Sequence, residues 1–168
     1  WDLLIVAHPP CTRLCRSGRR WLSGPGDMTP PKQLPRGRTW ESMKTEFYEA
    51  IELFLDCWNA PIPHIAVENP RMHDIATKHL SLSGVGKPQI VHPYYFGDPV
   101  YKATGWYLKN LPPLKSTNQL LEPARGSDEW KSWNKIWRMS PSENRGQLRS
   151  EFFPGMAQAM ADQWGDIL

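Results

Sequence analysis

The sequence is poor in cysteine, in long apolar runs and in net charge. Three cysteines, Cys11, Cys15 and Cys57, stand among 168 residues; they cannot all pair and are too few for a disulfide scaffold, so the expected setting is a reducing cytoplasm. No segment approaches the ~18 unbroken apolar residues of a membrane-spanning helix, so no membrane partner is expected, and no signal-peptide pattern is legible. Twenty Lys and Arg against 17 Asp and Glu leave a formal net charge of +3, too small to indicate a nucleic-acid partner; where the positive residues lie matters more. There is no internal repeat and no low-complexity tract. The length fits one domain, and residues 1–168 are expected to form it.

What is present is an order of elements. Leu3 to Ala7 is a continuous apolar run, as in a strand of a parallel sheet. A basic stretch rich in Gly and Pro follows, and residues 12–38 read as a long loop. From Thr39, a good N-cap, apolar residues at Met43, Phe47, Ala50, Ile51, Phe54, Leu55 and Trp58 have helical spacing, ending before Pro61. Ile65 to Val67 reads as a second strand. Strand, helix, strand is a βαβ unit, which expects two parallel strands. Cys11 and Glu68, each just past a strand's carboxyl end, would then share one edge of the sheet, where open α/β folds place their sites. Arg71 to Leu80 reads as a short helix, Gln89 to Tyr94 and Ala103 to Leu108 as a strand pair around "FGDP", Asp128 to Arg138 as a helix carrying Trp130, Trp133 and Trp137, and Pro154 to Trp164 as a last helix.

The chemistry concentrates at the two strand ends. In "DLLIVAHPPC" the prolines fix φ and restrict their predecessors, so the turn holds the Cys11 thiol in one place. A thiolate nucleophile needs a lowered pKa, and Arg13, Arg16, Arg19 and Arg20 bring positive charge close in sequence. Glu68, in "IAVENP", would give or take a proton across the cleft. Plainer readings stand beside these: Cys11 as a buried thiol, Glu68 as a structural ion pair or cap, and the arginines as a solvated loop rather than a grip on phosphates. Cys11 and Cys15 lack the second ligand pair of a zinc module, and the five histidines show no ligand spacing, so no metal is expected. The tryptophan stripe reads as core before it reads as a base-stacking platform.

"DLLIVAHPPC" resembles the Pro-Cys nucleophile motif of DNA cytosine-5 methyltransferases, and "IAVENP" resembles their Glu-Asn-Val motif. The whole chain is similar to the phage-type methylase-like members, with "SGRRWL" after the cysteine and "FPGMAQAMADQWG" near the end. The resemblance implies an α/β fold, the C-terminal portion of a Rossmann-like methyltransferase sheet, with a parallel βαβ unit, a terminal antiparallel strand pair and flanking helices. It implies Cys11 as the nucleophile toward C6 of a flipped cytosine, Glu68 acting at ring N3, and Pro10, Asn69, Arg13, Arg16, Arg19, Arg20, Lys102 and Thr104 as substrate-positioning residues, with residues 12–38 as the active-site loop. The methyl donor would be S-adenosylmethionine and the partner DNA, in the cytoplasm of a bacterial host. The family's Phe-x-Gly-x-Gly cofactor turn is not found in this sequence, so the chain is expected to be a fragment, inactive alone, whose cofactor part lies in a missing N-terminal segment or a second polypeptide. Two alternatives are a DNA-binding module without catalysis and a Cys-dependent hydrolase pairing Cys11 with His8.

Overall fold

The computed structural model describes residues 3–6, 9, 11–22, 30, 31, 33–140, 142 and 145–167. Four strands, β1 (Leu3–Val6), β2 (His64–Pro70), β3 (Gln89–Val91) and β4 (Thr104–Lys109), form one sheet in the order β1-β2-β4-β3. Between and after them lie α1 (Trp40–Trp58), α2 (Asp74–Leu82), α3 (Asp128–Trp133), α4 (Lys135–Arg138), α5 (Arg145–Ser150) and α6 (Pro154–Trp164). The chain divides into two compact units, Trp1–Gln89 with Gly105–Leu111, and Ile90–Thr104 with Pro112–Leu168.

The expected Rossmann-like methyltransferase sheet is not what forms. β2, β4 and β3 make a small antiparallel sheet; β1 lies along the other edge of β2, in the parallel register Leu3 to His64 through Val6 to Val67. A parallel sheet needs every strand re-entered from the same end by a crossover of about a dozen residues or more, usually helical. The link from β3 to β4 instead holds a 3-10 turn at Pro93–Tyr95 and a left-handed Gly97 (φ 95°), which return the chain without a crossover helix.

In the first unit, α1 begins where Thr39 and Ser42 form a reciprocal capping box, and its apolar stripe buries Met43, Phe47, Ala50, Ile51 and Phe54. Of these, Phe47, Ala50, Ile51 and Phe54 pack with Ile65 and Val67 of β2, Ile75, Ala76 and Leu80 of α2, and Tyr107 of β4. Leu14 and Leu22 join the same core, both fully buried. The expected long loop is therefore, over residues 11–22, a packed turn. Two isolated leucines anchor it, a signal too sparse for any periodicity to reveal. Residues 23–29 and 32 of that loop lie outside the described residues.

In the second unit, α6 buries Met156, Met160 and Trp164, and the Trp164 indole N–H donates to the Pro112 carbonyl at 3.0 Å. Gly155 lies so close to this unit's backbone that an added Cβ would sit 2.0 Å from the Phe96 carbonyl oxygen. The single helix expected over Asp128 to Arg138 is broken at Asn134, whose backbone leaves helical values (ψ 13°) while its side-chain amide donates to the Trp130 carbonyl at 2.7 Å. Trp133 is buried, Trp130 half-buried and Trp137 exposed.

Candidate functional site

The residues singled out around Cys11 gather on one turn of the first unit. The Cys11 carbonyl accepts from the Leu14 N–H at 3.0 Å and from the Cys15 N–H at 2.8 Å, so Cys11 and Cys15 stand one helical turn apart on the same face. The turn is fastened to the segment leading into α2. The Arg16 N–H donates to the Arg71 carbonyl at 3.2 Å and the His73 N–H to the Leu14 carbonyl at 3.0 Å, while Cys15 and Met72 form an antiparallel bridge. Gly18 closes the turn: a Cβ there would lie 2.3 Å from the Thr12 carbonyl oxygen.

His73 is the clamp that the sequence did not reveal. It is the N-cap of α2; its Nδ1 accepts the Ala76 N–H at 3.1 Å, so Nε2 carries the proton and donates it to the Arg13 carbonyl at 2.7 Å. One buried neutral imidazole thus holds both the helix start and the thiol turn. Burial keeps its pKa below the usual histidine value.

β2 runs further than its apolar core suggested, to Pro70, so Glu68 lies within the strand, one residue beyond the Val6–Val67 pair. Glu68 is 1% exposed and Asn69 is fully buried. The Asn69 amide donates to the Pro9 carbonyl at 3.4 Å, tying β2 to the Pro-Pro turn; among the described residues its Oδ1 has no hydrogen-bond partner. Pro10 and His8 lie outside the described residues.

The thiols do not behave as the arginines led one to expect. Cys11 is pushed above the ordinary thiol range by its hydrogen bond to Cys15, then by burial and by the negative charges of Cys15 and Glu68. Cys15 is pulled down to about 5. The hydrogen bond from Cys11 contributes most, helped by the Ser17 hydroxyl, whose oxygen is 3.0 Å from Sγ, and by the N–H groups of Gly18 and Ser17. Burial opposes these donors without overcoming them. The clue in the sequence was "CRSG", a cysteine followed by Ser and Gly at the spacing of a donor-rich turn.

The arginines are spent differently from one another. Arg13 is buried and bonds Glu46 Oε2 through Nε (2.8 Å) and Nη2 (2.7 Å), and Arg38 pairs with the other oxygen of Glu46. Arg19 Nε bonds Asp74 Oδ1 at 2.6 Å, which holds that carboxyl below the usual range. Arg16 and Arg20 are exposed, Arg20 with its guanidinium 4.4 Å from the Trp21 ring centre. Lys102 and Thr104 belong to the second unit, where Lys102 donates to the Glu151 carbonyl at 3.3 Å and buried Thr104 donates to the Lys102 carbonyl at 3.3 Å. Among the described residues no group of three or more His, Cys, Asp and Glu could hold a metal ion, and no helix is long and apolar enough to cross a membrane.

What the arrangement can do follows from its parts: two thiols in one turn, one with its pKa pulled down and the other pushed up, a buried glutamate beside them, and a buried amide whose oxygen has no partner among the described residues. Such a set is suited to nucleophilic thiol chemistry. Comparison with protein-family models, with curated proteins and with solved structures finds no match, so the chemistry of this turn is what speaks for function.

Proposed function

We propose that the thiol turn is a nucleophilic centre of the DNA cytosine-5 methyltransferase kind, with Cys11 adding to C6 of a cytosine in DNA. The observation that carries the reading is the pairing of Cys11 with Glu68, a buried carboxylate on the neighbouring strand close enough for its charge to raise the thiol. The support comes from this site and not from the sheet, whose antiparallel part is unlike the family's. Cys11 gives its proton to Cys15 and its sulfur bonds to C6. The C5=C6 electrons shift to C4–C5 while N3 takes a proton from water and the Glu68 carboxylate holds the N3–H that forms, which makes C5 nucleophilic. C5 then takes a proton from water; loss of the original C5 hydrogen to water, return of the N3 proton to water and departure of the thiolate restore the ring. The base must leave the stack first, and exposed Arg16 and Arg20 are placed to hold phosphates as it does.

In the family's reaction, S-adenosylmethionine supplies the methyl group that C5 receives. The described residues do not offer it a cradle, because no described glycine closes a short turn from a strand into a helix: Gly37 and Gly126 precede helices but stand far along the chain from the ends of β1 and β4, and the β2-to-α2 link is Arg71, Met72 and His73. The proposed chemistry of this chain accordingly stops at addition and hydrogen exchange at C5.

That exchange gives a cofactor-free test. DNA carrying tritium at cytosine C5 should release tritium to water in the presence of the chain, and Cys11→Ser or Glu68→Gln should lower release at least ~100-fold, the low end for losing an acid–base group. Tritium release unchanged in Cys11→Ser would overturn the proposal.

A further inference from the structure

The pairing of Cys15 with Cys11 has a second chemistry, independent of the cytosine reading. A thiol sensitive to oxidation combines thiolate character, access to solvent and a neighbouring thiol able to resolve the first product. Cys15 meets the first two conditions: it is half-exposed, and the Ser17 hydroxyl oxygen lies 3.0 Å from its sulfur. Cys11 meets the third. The 2.8 Å bond from the Cys15 N–H to the Cys11 carbonyl puts the two residues in one helical turn, where Cα atoms four apart are about 6 Å from each other, inside the span that a disulfide bridges. Cys57 is the contrast: it lies on α1 and its thiol is pushed up by burial, then by the charge of Asp56.

We propose that Cys15 is an oxidation site for hydroperoxides and that Cys11 resolves it, closing the turn to a Cys11–Cys15 disulfide. The Cys15 thiolate attacks the terminal oxygen of the hydroperoxide, breaking the O–O bond; the sulfur becomes a sulfenic acid and the alkoxide or hydroxide leaves, protonated by water. The Cys11 sulfur then attacks the Cys15 sulfur, the S–S bond forms and hydroxide departs with the Cys11 proton as water. Two thiols are oxidised and one peroxide is reduced. Closure also removes Cys11 from any other nucleophilic role, so the same turn would be active when reduced and silent when oxidised.

The test treats the reduced chain with one equivalent of hydrogen peroxide at neutral pH, followed by alkylation under denaturing conditions and tryptic digestion. Cleavage after Arg13 separates the two cysteines, so only a disulfide keeps their peptides joined. The expected result is the joined peptide, with Cys57 alkylated as a free thiol. In Cys11→Ser a 1,3-dione should capture sulfenic acid at Cys15; in Cys15→Ser, Cys11 should stay reduced. Ser17→Ala keeps both thiols and should slow closure about fivefold at about pH 4, below the Cys15 value of about 5, the worth of roughly one hydrogen bond. Oxidation of Cys57 before Cys15, oxidation of Cys11 in Cys15→Ser at the wild-type rate, sulfinic acid at Cys15 without the joined peptide, or an unmoved rate in Ser17→Ala would each overturn the assignment. A chain that forms the joined peptide but releases no tritium from cytosine keeps this site and loses the cytosine reading, and the reverse result does the opposite.

Discussion

In the unit of Trp1–Gln89 with Gly105–Leu111, Arg13, Glu68, Asn69 and His73 are all buried and all bear on one short turn. In the unit of Ile90–Thr104 with Pro112–Leu168, Thr104 is the one buried polar residue among the described residues, and rings pack on one another: Trp133 lies 5.7 Å from Tyr94 and 5.3 Å from Tyr101, centre to centre. Burying polar groups costs stability unless each finds a partner, whereas burying rings contributes it outright. The first unit thus gives up stability that apolar packing would supply and holds a reactive turn in place; the second is built for packing.

Breaking the ring packing should show the largest effect. Trp133→Ala is expected to destabilise the protein by about 3–5 kcal/mol, read from the urea midpoint, while Trp137→Ala, at a residue 64% exposed, should stay within about 0.5 kcal/mol. Equal losses would mean that the second unit is not held by its buried ring.

Arg13→Met asks the same of the first unit. It leaves Glu46 with Arg38 alone, and a loss of about 2 kcal/mol is expected, below that of a fully buried pair because Glu46 is part exposed. A loss under about 0.5 kcal/mol would put Arg13 back among the solvated arginines.

The smallest effect, a slope of stability with pH, sharpens the comparison. Burial holds the His73 pKa below its ordinary value of about 6.5, so the unfolded chain binds that proton more readily than the folded one. The stabilisation is complete above about pH 6.5 and is lost as pH falls through the lower folded value. Thermal melts should show that decline in the wild type, and His73→Asn, which keeps a capping oxygen and cannot titrate, should flatten it at a cost of about 1–3 kcal/mol, since the Arg13 carbonyl loses its donor. A slope unchanged in His73→Asn would place the titration elsewhere.

Legibility in the sequence followed the range of the forces. The start of α1 at Thr39 and the buried face of α6 were readable because caps and 3.6-residue periodicity are local. The packed turn of residues 11–22 was not, because its order comes from Leu14 and Leu22 entering a core made by distant residues and from bonds to Arg71 and His73. The break at Asn134 was missed because a side-chain amide competes with the helix only once the neighbouring packing lets it. At the site, the sequence pointed to Cys11 and Glu68; the lowering of the Cys15 thiol was not legible, since it depends on which donors the folded turn aims at which sulfur.

The sequence by itself determined that two prolines precede a thiol one turn before Cys15 and that a long capped helix separates it from Glu68 and Asn69. Tertiary structure alone decided the sheet's largely antiparallel order, the commitment of Arg13 to Glu46, the His73 clamp and which of the three tryptophans Trp130, Trp133 and Trp137 is buried. Pattern and propensity act over a few residues, whereas strand order and the pairing of a buried charge are set by groups that meet only when the chain has closed.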